Sequence, residues 1–154
     1  MARAIHVNYR RDQADRKPAD DPAMAAWDEL PEHLRESNRH QADHMFEKLD
    51  AIGCTVQEAG DGGAELFAFT KDEIELMSEM EHDRWTAERL ADGWTLGEER
   101  DVLNKIHPGL VSWEELSEEV REWDREPVRR IPELLAGVGF EIRRQQGPYE
   151  AHSR

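Results

Sequence analysis

The chain carries one cysteine, Cys54, in 154 residues. No intramolecular disulfide can form, which fits a reducing compartment and leaves the fold to packing. Cations are scarce as well. Only 20 Lys and Arg stand against 35 Asp and Glu, a formal net charge of −15. Binding a nucleic acid or an anionic bilayer requires clustered Lys and Arg in excess, so neither nucleic acid nor membrane is expected as a partner. Apolar runs last a handful of residues, short of the roughly 20 that span a bilayer. The start, Met-Ala-Arg-Ala-Ile-His, lacks the apolar core of a signal peptide. A cytoplasmic protein is expected. Catalytic signatures are missing too: there is no Cys-x-x-Cys, His-Glu-x-x-His, Gly-x-Ser-x-Gly, phosphate loop or dinucleotide fingerprint. The expectation is a protein with no catalytic residues, no metal site and no cofactor, and therefore not an enzyme.

What the chain has is a repeat. At an offset of 86 residues, Pro22–Gly53 aligns on Pro108–Gly139 without a gap. Pro22, Trp27, Glu29, Leu30, Glu32, Arg35, Glu36, Arg39, Glu47, Leu49 and Gly53 meet identical partners, 11 in 32 positions. Unrelated stretches would give roughly two at ordinary residue frequencies. Leu34/Val120, Asn38/Asp124, Ala42/Val128 and Met45/Ile131 add conservative matches at core-like spacing. Apolar content of 38% with five Trp is enough for one real core. A duplication implies two similar units related by a pseudo-two-fold axis, and the seam between modules is a common ligand site.

The elements read mostly helical. Residues 2–13 carry Ile5 and Tyr9 four apart. Arg16 to Pro22 is a loop, and Pro31 opens a helix that runs to about Asp50, with Gly53 as its stop. The segments 54–59 and 64–69 flank Gly60-Asp-Gly-Gly63, which reads as a hairpin or a linker with extended flanks. Thr70 with Glu73 is a capping box opening a helix to about Ala91, closed by Gly93. In the second copy, Pro127 and Pro132 break the corresponding helix in two, and Phe140–Arg144 mirrors the extended piece after Gly53. The fold class is thus mainly α, a pseudo-two-fold pair of helical repeats with short β-strand or hairpin elements. One domain over 1–146 is expected, with repeat one at about 1–60, repeat two at about 70–146 and a flexible tail at 147–154.

Few residues point to chemistry. Cys54 reads as a small buried residue rather than a nucleophile. His40 and His44 share a helix face, yet their second-copy counterparts are Glu126 and Arg130, so a solvated face is the simpler reading. Acids crowd the helix from Lys71 to Ala91, but with 35 of them adjacency is inevitable. The pointed signal is a pair upstream of the duplicated segment: His6-Val-Asn-Tyr9 answers His82-Asp-Arg-Trp85. Residues three apart share a helix face, so each repeat offers a histidine beside a flat ring. Should the two helices meet across the axis, Tyr9 and Trp85 would sandwich a planar group, and a base stacked on an aromatic ring contributes about 1–3 kcal/mol. Arg10, Arg11, Arg84 and Arg89 lie nearby for phosphate. Against this stands the plainer reading of core aromatics with structural histidines.

Met80-Glu-His-Asp-Arg-Trp-Thr-Ala-Glu-Arg-Leu-Ala-Asp-Gly-Trp94, Arg100-Asp101, His107-Pro-Gly-Leu-Val-Ser-Trp113 and Leu134-Leu-Ala-Gly-Val-Gly139 together resemble the RyR domain. This module is named for the repeats of the ryanodine receptor and also occurs in bacteria. The first half looks like a degenerate copy, so the resemblance covers about residues 1–144. It implies a mainly helical, pseudo-symmetric pair of repeats holding a nucleotide-type ligand where two His-x-x-Trp helices face each other. Carried over, the stacking residues are Tyr9 and Trp85, with Arg89 and Arg84 nearest the anionic part and His6 and His82 orienting the helices. Two departures stand out. Tyr replaces Trp in the first copy, and nothing after Tyr9 answers Gly93-Trp94 or Arg100-Asp101. The expected function is a sensor or binding module for an adenine-type nucleotide or nucleotide-derived signal, with a protein effector as possible second partner. The alternative is a protein-interaction or scaffold module with no small-molecule ligand.

Overall fold

Local signals start and stop the helices where the sequence places them. The computed structural model describes residues 1–145, Gly147, Tyr149 and Ala151, with Asp12 as backbone only. Helix α1 spans Ala2–Gln13 and α2 spans Glu32–Ala51. Along α2 the buried residues Ala42, Met45 and Leu49 recur at three- and four-residue steps, which draws one stripe inward. Ile52 follows, and Gly53 takes the left-handed conformation, φ 74°, that ends the helix. Helix α3, Lys71–Ala91, begins at a complete capping box: the Thr70 hydroxyl accepts the Glu73 amide at 3.2 Å and the Glu73 carboxylate accepts the Thr70 amide at 2.8 Å. Gly93, at φ 88°, closes it.

The second copy of the long helix is divided. Helix α4 covers Glu118–Arg129 and α5 covers Ile131–Ala136. Pro127 lies inside α4 rather than at the break, which falls at Arg130. Pro132 explains that position: it has no amide to donate to the Val128 carbonyl four residues back, so helical hydrogen bonding cannot run straight through. Ala42 and Val128, Met45 and Ile131, and Leu49 and Leu135 are buried alike, so the duplicated apolar stripe survives the break.

The Gly60–Gly63 segment forms a turn, but the two flanks do not pair with each other as a hairpin. Strand β1, Cys54–Glu58, instead pairs antiparallel with its counterpart from the second repeat. That counterpart is β4, Phe140–Arg144; between β1 and β4 in the sequence come the two-residue strands β2, Thr95–Leu96, and β3, Ile106–His107, which form a separate parallel pair. The β1–β4 register puts Val56 opposite Ile142, its own equivalent at the 86-residue offset. The local two-fold axis of this strand pair therefore exchanges equivalent residues of the two repeats. A strand of five residues gains nothing by lying alone, and two copies of one strand satisfy each other.

Mainly α with short strand elements is thus the observed class. Two compact units are present: Met1–Ala68 with Ile131–Pro148, and Phe69–Arg130 with Tyr149–Arg154. The end of the second repeat accordingly packs with the first, through β4. Most of the tail expected at 147–154 lies outside the described residues. Of those described, the amides of Tyr149 and Ala151 donate to Glu73 Oε2 at 3.3 Å and Asp72 Oδ2 at 3.2 Å. Among the described residues no helix is long and apolar enough to cross a membrane.

Candidate functional site

Both histidines of the His-x-x-aromatic pairs are buried, and both do the same thing. His6 Nε2 lies 2.6 Å from the carbonyl of Ala25, and His82 Nε2 lies 2.6 Å from the carbonyl of Val111. A carbonyl only accepts, so Nε2 carries the proton and donates in each. Ala25 and Val111 are equivalents at the 86-residue offset. The ring geometry repeats as well. His6 stacks on Tyr9 at 6.4 Å and tilts 54° to Trp27 at 6.2 Å. His82 stacks on Trp85 at 5.9 Å and tilts 52° to Trp113 at 6.1 Å. Each histidine thereby ties the loop before a tryptophan to the helix that carries the candidate stacking ring. Arg39 lies over Trp27 at 5.9 Å and Arg125, its equivalent, over Trp113 at 5.8 Å.

Tyr9 lies in the first unit. Its ring is half-buried, with the Lys17 ammonium 5.4 Å from its centroid. A hydrogen bond with Tyr9 holds Lys17 above its ordinary range. Beside the ring opens a cavity of about 170 Å³, walled by His6 and Tyr9 on α1, by Leu34, Ser37, Asn38 and Gln41 on α2, and by Ala23 and Leu30.

Trp85, His82, Arg84 and Arg89 lie in the second unit. Trp85 is half-buried and sits in a richer cluster. His107 meets it edge-on at 4.8 Å and Trp94 at 6.3 Å. The Arg89 guanidinium is shared between two rings, 5.7 Å from Trp85 and 5.2 Å from Trp94. Trp94 is set by the helix end: its amide donates to Arg89 O at 2.9 Å and its indole to Asp92 Oδ2 at 3.2 Å. His107 Nδ1 accepts the Gly109 amide at 2.9 Å. A side chain at Gly109 would press on His107, 3.0 Å from Nδ1, so glycine allows the close approach. Burial holds His107 below its ordinary pKa, and the positive charges of Arg100 and Arg89 depress it further.

The two expected arginines differ. Arg84 donates to Glu81 at 2.5 and 3.1 Å and to Glu88 at 2.8 Å, so carboxylates of its own helix neutralise it. The bonds to Glu81 and Glu88 raise its pKa despite burial, the largest opposing influence. Arg89 has no carboxylate partner among the described residues, and neither has Arg100. Sequence reasoning assigned no role to Trp94, His107 or Arg100, though all three fall in the quoted motifs. The signal for Trp94 was its place directly after the helix-closing Gly93. His40 and His44 each sit beside an acid, Glu36 at 3.3 Å and Glu47 at 3.9 Å, and no group of metal-ligand type is present among the described residues.

The arrangement at Trp85 offers a flat aromatic ring with a cation over it and, edge-on, an imidazole whose neutral form is favoured. Compared with known families, residues 64–144, just over half of the chain, match the model described as the RyR domain.

Proposed function

Because this chain belongs to the RyR domain family, we propose that it is a binding module for an adenine-type nucleotide or a nucleotide-derived signal, without catalytic activity of its own. In the second unit the base stacks on Trp85 and Arg89 meets the anionic part; Tyr9 is the equivalent ring within the first unit. One observation carries the reading. In a chain of net charge −15, Arg89 and Arg100 stand beside His107 with no carboxylate partner among the described residues. Arg89 over a half-exposed indole, with Arg100 near His107, supplies both charge-assisted bonds for phosphate and a stacking surface for a base. Arg84 is already committed to two glutamates, so its part is to fix α3. His82 and His6 hold the rings in place through their carbonyl bonds.

Calorimetric titration of the full chain with AMP and ADP tests this. Wild type binds, Trp85→Ala abolishes binding while melting close to wild type, and Arg89→Ala weakens binding about tenfold with a smaller salt dependence. Wild type that binds no nucleotide at millimolar concentration sinks the reading, as does unchanged affinity in Trp85→Ala.

A further inference from the structure

The span that joins α3 to the second tryptophan loop is longer than its counterpart. From His6 to Pro22 is 16 positions, and from His82 to Pro108 is 26. The ten extra residues are not needed for the arrangement of histidine, carbonyl and tryptophan, because the first repeat forms it without them. They are firmly built all the same. Asp101 and Ile106 exchange both backbone hydrogen bonds at 2.9 Å, and the Thr95 amide donates to Lys105 O at 2.8 Å. The Asp101 carboxylate accepts the Asn104 amide at 3.2 Å and its side chain at 2.7 Å. Lys105 Nζ donates to Asp92 O at 2.7 Å and lies 3.4 Å from its carboxylate. Lys105 also holds φ 54°, a left-handed conformation that strains a residue with a side chain.

All this order presents two aliphatic side chains to water. Val102 is 59% exposed and Leu103, at the tip, 95%. Neither contributes appreciably to the core, and a loop of this kind ordinarily carries polar residues at its tip. We infer that Val102 and Leu103 form an anchor that inserts into an apolar socket on a partner protein, a socket rimmed by Lys and Arg. The rim follows from charge. Glu98, Glu99 and Asp101 lead into the tip and outnumber Arg100 and Lys105, the latter already held by Asp92, and the whole chain carries −15. The same charge opposes a second copy of this chain and an anionic bilayer as occupants. A rigid aliphatic knob loses little side-chain and backbone freedom on docking, which favours it as the centre of an interface. This surface is independent of the nucleotide reading and provides an output for it.

A photo-reactive benzophenone at position 103 of the full chain, with position 66 as control because Leu66 is 64% exposed in the other unit, tests the inference in cells that make the protein naturally. The expected result is a discrete protein adduct from position 103 and not from 66, cross-linked through an apolar peptide flanked by Lys or Arg. The purified partner then binds the Val102→Ser/Leu103→Ser chain at least ~10-fold more weakly than wild type, and raised salt weakens the wild-type complex. The double variant melts with wild type, as side chains in solvent require. Adducts only with lipid, only with a second copy, equally from position 66, or none at all overturn the inference. So does a lowered melting point, which would assign the two side chains to packing.

Discussion

The two His-x-x-aromatic helices differ in their surroundings far more than in their frame. In both repeats a buried histidine donates at 2.6 Å to the equivalent carbonyl, and the histidine–tryptophan tilt agrees within a few degrees, 54° and 52°. Around that frame the repeats diverge. Tyr9 has Lys17 and a small cavity with three polar α2 residues, whereas Trp85 has Trp94, His107 and an Arg89 with no carboxylate partner among the described residues. The lesson is a division of labour. Buried groups that order the loops are retained, and residues facing outward have been free to specialise.

Removing the frame should hurt most. Trp113 is 6% exposed beneath Arg121 and Arg125, while Trp27 is only half-buried. Trp113→Ala is expected to cost about 3–5 kcal/mol, most of a small domain's stability, and Trp27→Ala less. Chemical denaturation of the two variants measures the difference. Equal and small losses would mean that neither ring anchors its loop.

The histidines come next. His82→Ala and His6→Ala each leave a carbonyl without its donor, a loss of about 1–3 kcal/mol. His82 also lies against the more deeply buried tryptophan, Trp113 at 6% exposed, whereas the ring beside His6, Trp27, is half-buried. The second-repeat variant is therefore expected to unfold at lower denaturant concentration than the first. The reverse order would show that the deeper burial around Trp113 does not add to the loss.

How much of this was legible follows from the range of each interaction. Caps and stops act over three or four residues, so Thr70–Glu73, Gly53 and Gly93 were readable. The histidine–aromatic faces were readable for the same reason. The β1–β4 pair was not, because strand partners 82 to 90 residues apart are chosen by packing, and the Gly60–Gly63 turn left a local hairpin open as the nearer pairing. Arg84 illustrates the opposite case. Glu81 and Glu88 lie three before and four after it, spacings that pair charges on a helix, and this spacing by itself argues for neutralisation. The strand at Ile106–His107, which brings His107 to Trp85, has no counterpart in the first repeat from which to read it.

His107 gives the finest contrast, since the first repeat has no equivalent imidazole in its cluster. Burial, then Arg100 and Arg89, hold it below the ordinary value of 6.5. The unfolded chain therefore takes up a proton before the folded one does. Stability attached to this group is complete above pH 6.5 and is lost as pH falls through that value toward the depressed one. An NMR titration of the imidazole should show a midpoint below 6.5 in wild type. In Arg100→Gln the midpoint should rise only part of the way back, because burial, the larger cause, remains. A wild-type midpoint above the ordinary value would mean that a carboxylate, not the two arginines, dominates the field at Trp85. The contrast between the two repeats would then lose its electrostatic half, and only the difference in their rings would remain.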